Sequence, residues 1–362
     1  MTIYLDYAAT TPMTETAINT YSEIARNVYG NSASLHDAGG KASFYIEQAR
    51  KIIAEKLDVH TDGVVFTGSG TEGNILAILS LARAHKGTHL ITTIAEHTSV
   101  HAAMATAQNA GYSITKVPLQ SNGIVNLEHL RAAIGPETSV ISIQHVNSEI
   151  GAIQPILQII ALAKKHNIFV HVDCVQSFCK LPIAPFSCDV DAITVSAHKI
   201  GGPKGCGAVY INPKLVVAPL IPGVTHERGL RGGTLDTPAI VAFAAAVTTF
   251  HDDASYYQFL RDELKQLLPP TIHLVNCEQQ LPSICGLLIE KLEGQYVLMK
   301  LNEAGIHIST GSACDIHSET GIKAILAIGY SLDRARCFFR ISFGPSTTKE
   351  EIHLLVHTLK QV

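Results

Sequence analysis

From residue 60 to about 215, short β-branched runs alternate with longer stretches in which apolar residues recur every three or four positions. "VVFT" (64–67) precedes "EGNILAILSLARAHK" (72–86), and "HLITT" (89–93) precedes a helical pattern around 98–110. "SITKVPL" (113–119) leads to a helical pattern around 126–134, and "VISIQHV" (140–146) leads to "ILQIIALAKKH" (156–166). "IFVHVD", "AITVSA" and "GAVYI" close the series at 168–173, 192–197 and 207–211. Strand alternating with helix predicts an α/β fold on a mainly parallel sheet covered by helices on both faces.

After about residue 250 the pattern changes. Helical stretches such as "YYQFLRDELKQLL" (256–268) mix with fewer strands, "IHLVN", "CGLLIE" and "CFFRISFG". The closing "TTKEEIHLLVHTL" opens with a capping box, Thr348 to Glu351. The expectation is a large α/β domain over 15–250 and a smaller α+β domain made of 1–14 and 251–362.

Composition narrows the function classes. The chain has 362 residues, 46% of them hydrophobic, and a formal charge of -4 with acids and bases interspersed. No basic block points to nucleic acid or a membrane surface. The start, "MTIYLDYAATTPM", lacks a secretory pattern. The longest apolar runs, such as "IVAFAAAV", fall short of the roughly 20 residues a membrane span needs. A cytoplasmic protein is expected. The eight cysteines show no CxxC and are expected to be free thiols. Cys174, Cys179 and Cys188, with apolar neighbours, and Cys337, beside "FFRISFG", are expected to be buried and inert.

Two motifs compete over the cofactor. "FTGSGTEGN" contains GxGxxG at Gly68, Gly70 and Gly73, with Glu96 further on, as in a dinucleotide-binding dehydrogenase. The same glycines, with Ser69 and Thr71 at a helix N-terminus, suit any phosphate. Later strand ends decide between them. "HVDCVQS" supplies Asp173 and Gln176, and "ITVSAHKIGGPKG" supplies Ser196, His198 and Lys199. Ligands of open parallel sheets sit outside the carboxyl ends of strands. A lysine for a Schiff base, a carboxylate for a pyridine nitrogen and donors for a phosphate form the set that pyridoxal 5′-phosphate requires. His97 and His101 in "EHTSVH" are four apart but have no third ligand in the pattern, so no metal is expected. His145 and His171 lie in strands and read as packing or hydrogen-bonded residues. "STGSACDIHSE" (309–319) sets Cys314 among small and polar residues, where a reactive thiol suits better than a core one.

Taken together, the chain resembles the class V aminotransferases of the fold-type I pyridoxal-phosphate enzymes, and more narrowly the NifS/IscS-type cysteine desulfurases. The likeness rests on "YLDYAATTP", "GNSASLH", "TGSGTEGN", "EHTSV", "NSEIGAIQP", "HVDCVQS", "SAHKIGGPKG", "RGGT", "STGSAC" and "RISFG", in family order from residue 4 to 344. The resemblance implies a seven-stranded sheet and a homodimer. It implies that Lys199 holds the cofactor, Asp173 pairs with the ring nitrogen, Gln176 meets the phenolic oxygen and His97 stacks on the ring and moves protons. Gly70, Thr71, Ser196 and His198 would form the phosphate cradle, with Thr234 reaching it from the partner subunit. Asn147 and Arg340 would bind the carboxylate of L-cysteine, and Cys314 would take up its sulfur as a persulfide.

The resemblance also marks departures. "DIHSETGIKAIL" lacks the family's common Ser/Gly-rich start and Leu-Glu-Pro, though its length suits the NifS/IscS group rather than the SufS group. Gly73 stands where Ser or Asn is frequent, and the sequence given stops at Val362, short of a scaffold-docking tail. "SLHDAGG" and "THERGLRGGT" resemble a subgroup associated with NAD biosynthesis, which implies quinolinate synthase, beside an iron–sulfur scaffold, as a sulfur acceptor. The other readings are an aminotransferase or selenocysteine lyase of the same class, a non-catalytic pyridoxal-phosphate-binding regulator, and the dehydrogenase.

Overall fold

The computed structural model describes residues 2–310 and 322–362. Its strands in chain order are β1 (Ile3–Tyr4), β2 (Val64–Thr67), β3 (His89–Thr93), β4 (Ser113–Val117), β5 (Thr138–Gln144) and β6 (Phe169–Asp173). They continue with β7 (Ala192–Ser196), β8 (Gly207–Ile211), β9 (Ile272–Leu274), β10 (Ile284–Ile289), β11 (Ile306–His307) and β12 (Phe338–Ser342).

Among the described residues, seven strands form the central sheet in the order β2-β8-β7-β6-β5-β3-β4. Every pairing is parallel except those of β8, which runs antiparallel to both β2 and β7. The link from β7 to β8, residues 197–206, contains no crossover helix, and antiparallel neighbours need none. Strands β5, β7 and β8 are buried at every residue, as expected for a sheet covered on both faces. Helix Gly70–Ala84, which links β2 to β3, is buried over most of its surface, which explains its apolar sequence.

A second apolar cluster gathers β9, β10 and β12, an antiparallel sheet, with helices Ala254–Leu267, Gly294–Glu303 and Lys349–Leu359. Leu260, Leu287, Val297, Phe339 and Leu355 lie at its centre. The Thr348/Glu351 capping box forms as the sequence predicts. The N-terminus joins this region. Strand β1 pairs in parallel with β11, and Asp6 bridges to Ser342 on β12.

The cysteines depart from expectation in part. Cys174 is buried, but Cys179 and Cys337 are only half-buried and Cys188 is exposed. Cys188 lies just beyond helix Ala184–Ser187 and Cys337 just beyond helix Leu332–Arg336, where apolar neighbours in sequence do not cover the thiol.

Candidate active site

Three parallel strands end at one cavity. Gln144 ends β5, Asp173 ends β6 directly opposite it, and Ser196 ends β7. All three line the cavity, together with Gly70 and Thr71 at the N-terminus of helix Gly70–Ala84. His97, Gln176, His198, Lys199 and Arg340 line the same space. With Ser69, which also lines it, ten of the residues singled out from the sequence therefore converge, from segments spread between residues 69 and 340.

Asp173 is held by two donors. Its Oδ1 accepts the Val175 backbone N–H at 3.0 Å, and its Oδ2 accepts Nδ2 of Asn74 at 2.7 Å. Asn74 is buried and also donates to Ser99 Oγ at 2.9 Å. Ser99 Oγ lies 2.7 Å from Nδ1 of His97, which caps helix Thr98–Asn109.

Lys199 Nζ donates to the carbonyls of Ala8 and Ala9 at 2.6 and 2.8 Å. This ties the lysine to the N-terminal segment. His198 Nδ1 pairs with Thr10 Oγ1 at 3.1 Å. Burial, then the charges of Lys199, Lys204 and Lys180, push His198 down to about 3, so its ring is neutral.

Arg340 is almost fully enclosed on β12. Its Nη2 donates to Asp6 Oδ1 at 2.6 Å, and its Nη1 donates to the Ser148 carbonyl at 2.8 Å. Its backbone pairs in both directions with Ser309. Asn147 sits differently from the others. It is buried but does not line the cavity. Its Oδ1 accepts the Glu149 and Ile150 amides, each at 2.9 Å, and its Nδ2 donates to the Ala95 carbonyl at 3.1 Å. One Nδ2 hydrogen remains for a ligand. Thr234 is exposed and lies outside the cavity. Cys314, with Asp315 and His317, lies outside the described residues.

The GxGxxG motif does not act as a dinucleotide fingerprint. Glu96, the acid such a fold would offer to a ribose, is fully buried. It accepts from Thr93 Oγ1 at 2.6 Å and from the Gln144 amide at 2.8 Å. Burial raises its carboxyl from 4.5 to about 8. Among the described residues, no cluster of three or more histidines, cysteines or acids is placed to hold a metal ion.

Residues 3–355 match the family model described as aminotransferase class-V. The putative cysteine desulfurase NifS of Bacillus subtilis (strain 168) is 42% identical over 98% of this chain and 93% of that protein. A solved structure described as a NifS-like protein superposes with a TM-score of 0.92 and 31% identity, covering 100% of this chain and 99% of its own. Another, described as SspA in complex with cysteine, gives a TM-score of 0.84 and 34% identity, covering 96% of this chain and 100% of its own. The chain belongs to the class V aminotransferase family, among the NifS-type cysteine desulfurases.

The family's cofactor is pyridoxal 5′-phosphate, and the class V cavity of this chain fits it. Ser196 Oγ, Gln176 Oε1, Asn74 Oδ1 and Arg340 Nε are buried without a hydrogen-bond partner among the described residues. All four belong to residues that line the cavity. Buried polar groups of this kind call for a polar ligand. A Cβ at Gly70 would stand 2.8 Å from Val175 Cγ2 and 3.4 Å from Ser196 Cβ, closing the space beside the helix N-terminus. That terminus and Ser196 suit a phosphate, while Asp173 suits a protonated ring nitrogen.

Several lining residues escaped the sequence reading: Ala8, Ala9, Asn74, Gln144, Val146, Ser148 and Val175. Ala8 and Ala9 act through backbone carbonyls, which leave no trace in residue type. Asn74 lies inside a helical pattern and carries only the bare signal of a polar residue in an apolar stretch.

Proposed function

We propose that this chain is an L-cysteine desulfurase that transfers the substrate's sulfur to Cys314 and releases L-alanine. The observation that carries this reading is the meeting of Lys199, Asp173 and Arg340 around one cavity. Pyridoxal phosphate, when bound, supplies an electron sink for negative charge at the substrate Cα.

The chain's own residues do the rest. Lys199 attaches the cofactor and then takes the Cα proton at Nζ. Asp173, held by Asn74 and Val175, keeps the ring nitrogen protonated. Gln176 meets the ring's phenolic oxygen. Gly70, Thr71, Ser196 and neutral His198 hold the phosphate. Arg340 offers a fork to the substrate carboxylate, and Asn147 adds its remaining Nδ2 hydrogen. His97, which lines the cavity, would stack on the ring and move protons. The Cys314 thiolate attacks the substrate sulfur, so an S–S bond forms and the Cβ–S bond breaks. The electron pair returns to carbon, and protonation there leaves L-alanine.

The wider reading follows the same relatives. Residues 15–250 form a cofactor-binding domain, and 1–14 with 251–362 form the domain that presents Cys314. The working unit is a cytoplasmic homodimer, in which exposed Thr234 reaches the partner's phosphate site. No helix among the described residues is long and apolar enough to cross a membrane. The sulfur acceptor is an iron–sulfur assembly protein, either a scaffold or quinolinate synthase.

The test is release of sulfide and alanine from L-cysteine with a dithiol present, in wild type and in Cys314→Ser. Equal amounts from wild type, and near loss of both in the variant, are expected. Alanine and sulfide from the variant at wild-type rates would overturn the role of Cys314. No release from cofactor-loaded wild type would overturn the desulfurase.

A further inference from the structure

Along the cavity wall a hydrogen-bond chain runs from Asp173 to His97, and its direction is fixed at the Asp173 end. An ionised carboxylate only accepts. Asn74 must therefore turn its NH2 group, not its oxygen, toward Asp173 Oδ2, 2.7 Å away. The second hydrogen of that NH2 faces Ser99 Oγ at 2.9 Å. Ser99 Oγ thus accepts a hydrogen bond from Asn74, and its own single proton can be donated to His97 Nδ1 at 2.7 Å. The Ser99 backbone N–H approaches the same nitrogen at 3.2 Å. A ring nitrogen that faces two donors presents a lone pair. The neutral imidazole then carries its proton on Nε2.

We propose that Asn74 and Ser99 are positioning residues that hold His97 as its Nε2–H tautomer and fix Asp173 and His97 in one geometry. The tautomer follows from the Ser99 backbone N–H and hydroxyl that face Nδ1. Its use, as a donor to the group bound in the cavity, rests on the desulfurase reading above. The relay places the acid that faces the cofactor's nitrogen and the imidazole that faces its ring on one string of partners. A change at either end is felt at the other. The string passes through helix Gly70–Ala84, which also carries the phosphate cradle at its N-terminus.

The test is 15N labelling of the histidine rings, read by two-bond 15N–1H correlation in the apo-protein, with His97 identified by its loss in His97→Gln. Wild type should show His97 protonated at Nε2. Ser99→Ala keeps the backbone donor but removes the hydroxyl, and should give a mixture of tautomers. Ser99→Thr restores the hydroxyl and should restore the single tautomer. Asn74→Leu should weaken pyridoxal phosphate binding about tenfold, read as Kd by equilibrium titration, because Asp173 loses a donor. An Nδ1–H tautomer in wild type, or an unchanged signal in Ser99→Ala, would overturn the proposal. A protein that shows Nε2–H at His97 yet releases no sulfide supports the relay and overturns only the desulfurase.

Discussion

The Arg340 guanidinium donates to the Asp6 carboxylate at 2.6 Å, so the fork assigned to the substrate already holds an internal acid. The side chain of Arg340 is 1% exposed and that of Asp6 17%. Asp6 both neutralises a buried cation and competes for it. Asp6→Asn should lower the KM for L-cysteine and cost about 2 kcal/mol of stability, since the buried charge loses its partner. Steady-state kinetics and urea unfolding of the same sample check both. Unchanged stability would show that Asp6 does not compensate Arg340.

Gly70→Ala separates stability from cofactor binding. Alanine favours the helix. Its Cβ would press on Val175 and Ser196 at the cradle, at 2.8 and 3.4 Å. The Kd for pyridoxal phosphate should rise about tenfold while the unfolding midpoint changes little, the helix gain offsetting the close contact. Unaltered affinity would place the phosphate elsewhere.

Glu96 should imprint a pH dependence on stability. The native carboxyl keeps its proton up to about 8, whereas the unfolded one releases it above 4.5. Between these values the native state holds the extra proton, so stability falls as pH rises, by roughly 1.4 kcal/mol per unit at most. Glu96→Gln lacks this slope. Urea midpoints at several pH values should show the variant gaining on wild type from pH 5 to 8. A constant gap would mean that Glu96 is ionised in the fold.

Acid should act in the opposite sense through buried histidines. His145 and His171 are pushed down by burial to about 4, and His198 to about 3. His171 sits between Ser142 Oγ and Thr194 Oγ1, at 2.8 and 3.0 Å. Unfolded histidines take up protons below about 6.5 and these native ones do not, so stability is full above that pH and drains as pH falls toward 4. His171→Gln should lessen the loss between pH 6.5 and 5. An equal loss in the variant would assign acid sensitivity to other groups.

A buried ion pair helps anchor the loop bearing Thr234. Both Nη atoms of Arg50 donate to Glu227 at 2.8 Å, and the side chains are 5% and 1% exposed. Glu227 and Arg228 adopt left-handed backbone angles, φ 45° and 58°. Glu227→Gln should cost about 3 kcal/mol in urea unfolding. A loss below about 1 kcal/mol would show the pair to be dispensable.

Much of this architecture was legible in the residues. Buried parallel strands write themselves as unbroken apolar runs, and a polar residue at the end of such a run, like Asp173 or Ser196, marks the ligand edge. What stayed hidden has physical reasons. Strand direction leaves no periodic mark, so the reversal at β8 shows only as a link, 197–206, too short for a crossover helix. Helix Asp37–Leu57 precedes the alternating region and escaped the sequence reading; it carries Gly39 and Gly40, poor helix formers, in its early turns. Asn74 and Asp6 gain meaning only from partners far along the chain. Neighbours in sequence misjudged Cys188 and Cys337, since apolar flanks do not ensure that a thiol faces inward.

The first ten residues close the site from the far end of the chain. Ala8 N–H bonds to Ser342 Oγ across 334 positions, and Lys199 Nζ reaches the Ala8 carbonyl across 191. The segment around Ala8 therefore waits for a segment made 334 residues later. Loop-closure entropy makes contacts of such span slow to form. A nascent chain ending before β12 has no complete cavity, because Arg340 lines it, so a loaded molecule is one in which Ala8 and Ser342 have already met.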